Sequence, residues 1–398
     1  MCNHYFLKME ISKNIKKAKS KKSPKRIIKY IFSSEILLFA VFLFFGFFPF
    51  GYFNRNVNTN RTINDVQLFN PYQNVNWDSV GRYRANLHSH TTLSDGINSL
   101  VELVEKYEKL GFDFLAVTDH NRATYPWGNF GVENSGSQIQ AIAGNELSHG
   151  HHVVSLFSDF QASRFRHPTV NRQLSAANRY SSGEARFFMA HPGRYVPFVW
   201  MLDSPLWLYN IDFYRNLFNR FDTLVGMEVF NQNDRYRNDR MIWDRVLSEL
   251  MPHRPVWGIA TDDNHGNHFG VNKVTMLLEN STKNNFRNAL DNGEFFASSF
   301  GRFNPAVLDE RHSKSGARWD YVPYVTKIYT CQINATITIE AQNYTDIIWI
   351  SYRGREVGRG STINYRKPVI YRFLRATIIN EIDGELVAQT LTQPFGIK

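Results

Sequence analysis

The sequence predicts an α/β domain, followed by a small all-β domain of sandwich type and preceded by one transmembrane helix. Three observations carry this. Strand-like and helix-like patterns alternate over residues 81–303, residues 304–398 hold only short β-rich segments, and an uncharged apolar run follows a basic tail.

Residues 1–30 carry ten Lys or Arg against one acid, Glu10, so this predicted cytoplasmic tail supplies nearly all of the +10 net charge. The rest of the 398-residue chain is therefore near neutral, and no nucleic-acid groove is implied. The apolar run, residues 36–53, is 18 residues long and uncharged. That is close to the ~20 residues a helix needs to cross a bilayer core. The transmembrane helix is predicted over residues 31–53, as a signal-anchor with the N-terminus cytoplasmic and the rest of the chain extracytoplasmic, because Lys and Arg flank its N-terminal side. A cleaved signal peptide would need a short leader and a small-residue cleavage site, and Pro49-Phe50-Gly51-Tyr52-Phe53 offers none. A buried soluble helix is the plainer alternative, against which the adjoining lysines argue. On this topology Cys2 and Cys331 lie on opposite sides of the membrane, so no internal disulfide is expected. Residues 54–80 are polar and Asn-rich and read as a tether.

Within residues 81–303, Leu100, Leu103, Val104 and Tyr107 follow the spacing of a one-faced helix over residues 98–110. Ser99 with Glu102 forms a capping box at its start, and Gly111 ends it. Residues 112–117 read as a buried strand. Further strands are predicted at 140–144, 153–157, 187–190, 223–230, 256–260 and 271–278, and helices at 209–220, 238–251 and 284–292. The alternation argues for a parallel sheet or barrel. Residues 322–329, 333–341, 347–352, 369–379 and 386–391 read as the antiparallel strands of the last domain.

The chemistry begins at His88-Ser89-His90, at the end of a strand predicted over residues 83–87. Two imidazoles one residue apart on a strand point the same way and can grip one cation. Asp95 follows, past a turn at Ser94-Asp95-Gly96. Acidic and imidazole residues then recur after successive strands: Asp119-His120-Asn121, Asn145-Glu146, His191-Pro192-Gly193-Arg194 and Asp262-Asp263-Asn264-His265, with His152 opening the 153–157 strand. Chemistry on barrels and open α/β sheets gathers where the C-terminal ends of strands converge. Each element alone reads equally as a loop histidine or a solvated carboxylate; their common edge is what argues for a site. Imidazole with carboxylate and no thiolate suits Zn²⁺, Mn²⁺ or Fe²⁺.

This order of motifs resembles the PHP (polymerase and histidinol phosphatase) superfamily of metal-dependent phosphoesterases. The nearest pattern is the branch that hydrolyses nucleoside phosphates and short oligonucleotides. Ala289-Leu290 with Gly293-Glu294-Phe295-Phe296 also resembles that family's closing helix and strand. The resemblance covers residues 81–300 and implies a distorted seven-stranded β/α barrel. It implies a three-metal site as well: His88, His90, Glu146 and Asp263 on the first ion; Glu146, His152 and His191 on the second; Asp95, His120 and His265 on the third. His149 and His151 stay open as alternatives to His152, and Asp262 as an alternative to Asp263. Such a site would hydrolyse phosphomono- or phosphodiesters by a metal-activated hydroxide. Arg194 is the candidate cation for the phosphate, against a plain surface arginine, because a guanidinium fork matches phosphate oxygens. Asn121 is a weaker candidate for substrate contact, and His268 for the proton donor to the leaving group. The aromatics Phe198, Trp200, Trp207, Tyr209 and Phe213 either roof the site or simply pack a subdomain. Two other readings stand beside the enzyme: a non-catalytic barrel that holds surface glycan or a partner protein, and a metallohydrolase of non-phosphate bonds.

Overall fold

The chain enters its fold through a pairing that links its two ends. In the computed structural model, which describes residues 66–132, 136–204, 210–232, 234–266, 268–300 and 317–398, β1 (Leu68–Phe69) runs antiparallel to β19 (Phe395–Ile397). Tyr72 is buried beyond it, donates its hydroxyl to the Phe295 carbonyl at 3.1 Å and accepts from Gln393 N at 2.7 Å. From residue 66 onward, then, the expected tether is a packed part of the fold. Local composition gave no sign of this, because the partner strand lies over three hundred residues away. The basic tail, the apolar segment, the first part of the tether, Trp207 and Tyr209 lie outside the described residues. Among the described residues no helix is long and apolar enough to cross a membrane.

The α/β region follows the predicted alternation closely. β2 (Gly81–Asn86), β3 (Phe114–Ala116) and β4 (Gln140–Ile142) are parallel neighbours. Helix α1 (Leu100–Lys109) joins the first two; its Ser99–Glu102 capping box is formed and Leu100, Leu103, Val104 and Tyr107 are buried. After a break at Ala143 the chain continues as β5 (Gly144–Leu147), then β6 (Val153–Leu156) and β7 (Arg186–Met189), both antiparallel to their predecessors. β8 (Leu224–Asn231) and β9 (Trp257–Thr261) run parallel to β7. A purely parallel wall is thus not realised. Only five residues join β5 to β6, too few for a crossover. Helix α2 (Val170–Tyr180), not expected from the sequence, joins β6 to β7; α3 (Ile211–Arg220) and α4 (Asn238–Leu250) lead into β8 and β9. β10 (Asn272–Leu278) returns antiparallel to β2 and to β11 (Phe295–Ser299), with α5 (Lys283–Asn292) between them. Bridges between Ser89 and Asn264 and between His120 and Glu146 draw the C-terminal ends of β2 with β9 and of β3 with β5 together.

The C-terminal segment is β-rich, as expected. β12 (Tyr324–Cys331), β13 (Thr336–Gln342) and β16 (Thr362–Asn364) form one sheet. β14 (Asp346–Ser351), β15 (Arg355–Arg359), β17 (Arg372–Ile382) and β18 (Glu385–Leu391) form the other, which is continuous with the α/β sheet through β18 and β11. A shared core containing Ile337, Ile339, Trp349 and Ile378 also takes in Leu277 and Phe296 from the α/β region. A buried fork joins the two regions a second time: Arg375 donates Nε and Nη2 to the Asp244 carboxylate of α4, both at 2.7 Å, with each side chain 5% exposed.

Removing one partner of such a pair leaves the other charge buried and uncompensated. Asp244→Ala is therefore expected to cost about 3–5 kcal/mol of unfolding free energy, measured by urea denaturation. Loss of less than about 1 kcal/mol would show that the fork is not a structural joint.

Candidate metal centre

The ends of six strands, β2, β3, β5, β6, β7 and β9, deliver side chains to one cluster. His88 and His90 leave β2 on the same side, and Ser89 between them turns away to donate to the Ala116 carbonyl at 3.0 Å. Both imidazoles are fully buried, with their Nε2 atoms 3.1 Å apart. Asp263, at the end of β9, brings Oδ1 to 3.3 Å from His88 Nε2 and 3.2 Å from His90 Nε2. Glu146, on β5, brings Oε2 to 3.5 Å from each of the same nitrogens. Its Oε2 also lies 2.8 Å from His120 Nδ1, and its Oε1 2.8 Å from His152 Nδ1 and 3.1 Å from His191 Nε2. At the outer side, Asp95 Oδ2 stands 3.3 Å from both His120 Nε2 and His265 Nε2, and the His265 ring stacks on His90 at 4.3 Å.

All nine residues singled out in the sequence thus meet in one cluster. Three overlapping groups have ligand atoms close enough to share an ion: His88, His90 and Asp263; His120, Glu146 and His152; and His90, Asp95, His120 and His265. The grouping differs from the expected one in four respects. His120 joins Glu146 as well as Asp95, His90 belongs to the outer group as well as the inner one, Glu146 is not in the inner group, and His191 is in none of the three. Asp262 stands apart. It accepts from Tyr107 Oη and from the backbone of Gly270, Val271 and Asn272 at 2.7–3.0 Å, while burial pushes its pKa up to about 7 against those bonds. His151 is likewise engaged elsewhere, with Nε2 3.0 Å from Tyr214 Oη and its ring 4.0 Å from that of Tyr195.

The donor atoms suit a shared cation. His88 Nδ1 lies 2.8 Å from Glu228 Oε1, which places the ring proton there. Its Nε2 lone pair then faces another imidazole nitrogen and two carboxylate oxygens at 3.1–3.5 Å, and Asp263 Oδ1 is buried without a hydrogen-bond partner. Two ligand atoms about 2.1 Å from one ion lie about 3.0–3.4 Å apart, so these spacings match a shared divalent ion. Without one, protons must serve. Burial lowers the His88 pKa, but Asp263, Glu146 and Glu228 together raise it well above its ordinary value. Burial opposes ionisation of Glu146 and Asp263, yet the surrounding imidazoles hold both carboxyls well below the usual range.

An outer layer fixes these ligands. Glu228, in the middle of β8, accepts from His88 Nδ1, Thr261 Oγ1 (2.6 Å), His191 N (2.7 Å) and Asn231 Nδ2 (2.8 Å). The sequence reading missed it, since a single acid in an apolar strand carries no local signal. Asp119 accepts from Thr91 N, Thr91 Oγ1 and Ser94 Oγ at 2.6–2.8 Å and so holds the loop that carries Asp95. Gly96 passes so close to this loop that a Cβ would lie 2.3 Å from the His90 carbonyl. Four non-glycine residues at the site hold positive φ: Asn121 (51°), His191 (30°), Gln232 (39°) and Asp263 (42°). Such strain persists only where the surroundings over-determine it.

The remaining candidates are placed differently from one another. Asn121, expected near substrate, spends its amide on Ser148, donating to Oγ at 2.6 Å and accepting from N at 3.0 Å. It ties two site loops together instead. Arg194 is exposed and stacks over the Tyr195 ring at 5.9 Å. His268 borders the cluster; burial and the charges of Arg235 and His265 lower its pKa against the pull of Asp263. A neutral imidazole is a weaker proton donor than an imidazolium, which counts against the expected role. Phe213 stacks on His151 at 5.5 Å as packing, whereas Phe198 and Trp200 are exposed and stack on each other at 6.2 Å.

Residues 86–199 match the family model of the PHP domain. No curated protein matches the chain by sequence. Among solved structures, a two-domain protein from Bacteroides vulgatus containing a predicted PHP-like metal-dependent phosphoesterase is similar at 16% identity and a TM-score of 0.46, covering 79% of this chain and 96% of that one. An amidohydrolase from Chromobacterium violaceum, with bound sulfate and no metal, is similar at 16% identity and a TM-score of 0.34, covering 47% of this chain and 89% of that one.

Two outcomes follow from the outer layer and from the proton balance. Glu228→Gln should weaken metal binding by about 10–100-fold, measured by chelator competition, with the fold intact by circular dichroism. Unchanged affinity would remove Glu228 from the support of His88. The second concerns pH. Burial alone lowers the His120 pKa, but Glu146 and Asp95 raise it above 6.5. In the metal-free protein that charged imidazole stabilises the fold below pH 6.5 and ceases to do so as pH rises through its folded value. Metal must displace that proton. The rise in Tm on adding Zn²⁺ or Mn²⁺ should therefore be small at pH 5 and grow towards pH 8; an increment independent of pH would contradict it.

Proposed function

We propose that this chain is a metal-dependent phosphoesterase that hydrolyses phosphomono- or phosphodiesters at a trinuclear centre. The proposal includes anchoring by the N-terminal apolar helix, with the catalytic domain outside the cytoplasm. The observation that carries the enzymatic reading is the buried set of facing lone pairs on His88, His90, Glu146 and Asp263, the first three of them within the stretch that matches the PHP domain. Support for the anchor is confined to the uncharged run at residues 36–53 and the lysines before it.

The centre divides into an inner part, with His88, His90, Asp263 and Glu146, and two parts that share its edges. His152 and His191 face Glu146 Oε1, and His120 and His265 face Asp95. Bound divalent ions of the Zn²⁺, Mn²⁺ or Fe²⁺ class supply Lewis acidity to a phosphoryl oxygen and a lowered pKa to water. The chain's own contribution is positional. Glu146 is shared by two groups of ligands, so its carboxylate fixes the spacing between them. Glu228 and Asp119 fix the rings and loops behind. Asp95, half exposed, stands on the open side of the cluster, where a substrate arrives.

The test is elemental analysis of the purified protein combined with a panel of phosphomono- and phosphodiesters, with and without added Mn²⁺ or Zn²⁺. His90→Ala and Asp263→Ala should each lose metal and at least about 100-fold in turnover while the protein stays folded. Full turnover by either variant, or a fully metallated protein inert towards every phosphoester tried, would overturn the assignment.

A further inference from the structure

The loop after β8 carries a charged group whose position is tied to the cluster. Gln232, 8% exposed, donates Nε2 to Asp263 Oδ2 and to the Asp263 carbonyl, both at 3.1 Å. Its Oε1 accepts from Arg235 Nη1 at 2.9 Å. Two hydrogen bonds through one amide therefore separate the Arg235 guanidinium from a carboxylate that faces His88 and His90. The loop itself is held firmly. Arg235 N donates to the Asn231 and Gln232 carbonyls at 2.9 Å, Arg240 forks onto Asp234, and Gln232 and Asp234 hold φ of 39° and 58°. A loop kept in that conformation by so many contacts is spending stability to aim something.

Arg235 is what it aims. The side chain is exposed and lies over the Tyr236 ring at 5.3 Å, and that ring is 5.8 Å from the ring of His191. The Tyr236 ring thus neighbours both the guanidinium and His191, and the Arg235 charge is also felt at His268. Among the described residues its Nε and Nη2 donors are not committed, so two parallel N–H groups are presented at the rim. That fork matches two oxygens of a phosphoryl group. The Arg194 charge also acts on Tyr236, but among the described residues its guanidinium is held only by stacking over the Tyr195 ring.

We propose that Arg235, positioned by Gln232, is the residue that grips the phosphoryl oxygens of the substrate, in the place first assigned to Arg194. The proposal rests on the phosphoesterase reading. It makes Gln232 a coupler: the same amide holds a metal-facing carboxylate and the anion-binding arginine, so filling the metal centre and aligning the fork become one event.

The probe is inorganic phosphate, titrated calorimetrically into the metal-loaded protein. Arg235→Ala should raise the phosphate Kd by about 10-fold or more with metal content unchanged, since one charge-assisted bidentate contact is lost. Arg235→Lys should recover part of the affinity, and Arg194→Ala should change it by less than about 2-fold. If Arg235→Ala binds phosphate as the unaltered protein does, or loses metal, the proposal is overturned while the phosphoesterase reading stands. If the unaltered, metal-loaded protein neither binds phosphate nor turns over any phosphoester, both fall together.

Discussion

Five imidazoles surround the Glu146 carboxylate, and the rest of the site is arranged around that fact. The side chain is 1% exposed, and His88, His90, His120, His152 and His191 all reach it within 3.5 Å. A carboxylate and neutral imidazoles packed this closely present lone pairs to one another. In a buried place such a set is tolerable only if protons or cations lie between the groups. Glu146 therefore does two things at once: it neutralises part of the charge the centre gathers, and it fixes the distance between separate groups of ligands.

The fold is shaped to meet that demand. The hairpin between β5 and β6 puts Glu146 and His152 side by side, although it breaks the parallel order of the wall. The bridges Ser89–Asn264 and His120–Glu146 pull the ends of distant strands to bonding distance. Behind the ligands, Glu228 and Asp119 each gather several donors, so rings and loops are held by hydrogen bonds and not by packing alone. Positive φ at Asn121, His191, Gln232 and Asp263 shows where backbone strain is accepted for position. The ligand set itself differs in exposure: His88, His90, Glu146 and Asp263 are sealed, while Asp95 and His265 look outward.

Much of this was legible in the chain. Imidazole and carboxylate side chains announce themselves by type, and their recurrence after predicted strands placed them on one edge before any contact was known. The capping box at Ser99 and the stripe of Leu100, Leu103, Val104 and Tyr107 located α1 to within a residue or two. What escaped has physical reasons. Glu228 sits within Leu224–Asn231, an otherwise mostly apolar strand, and gains its meaning only from groups delivered by other strands. Helix α2 hides its Val170, Leu174 and Ala177 stripe among Asn, Arg and Ser. The β1–β19 pair joins the ends of the fold, which no local pattern reports. Gln232 and Arg235 are ordinary surface residue types until the hydrogen bonds of Gln232 to Asp263, and of Arg235 to Gln232, are seen.

The most direct test of the central claim is anomalous X-ray scattering from crystals of the metal-loaded protein, recorded at the absorption edge of the bound element. Peaks should lie between His88, His90 and Asp263, beside Glu146 with His152, and beside Asp95 with His120 and His265. A map without such peaks, in a crystal whose nine side chains keep the same arrangement under excess metal, would contradict it.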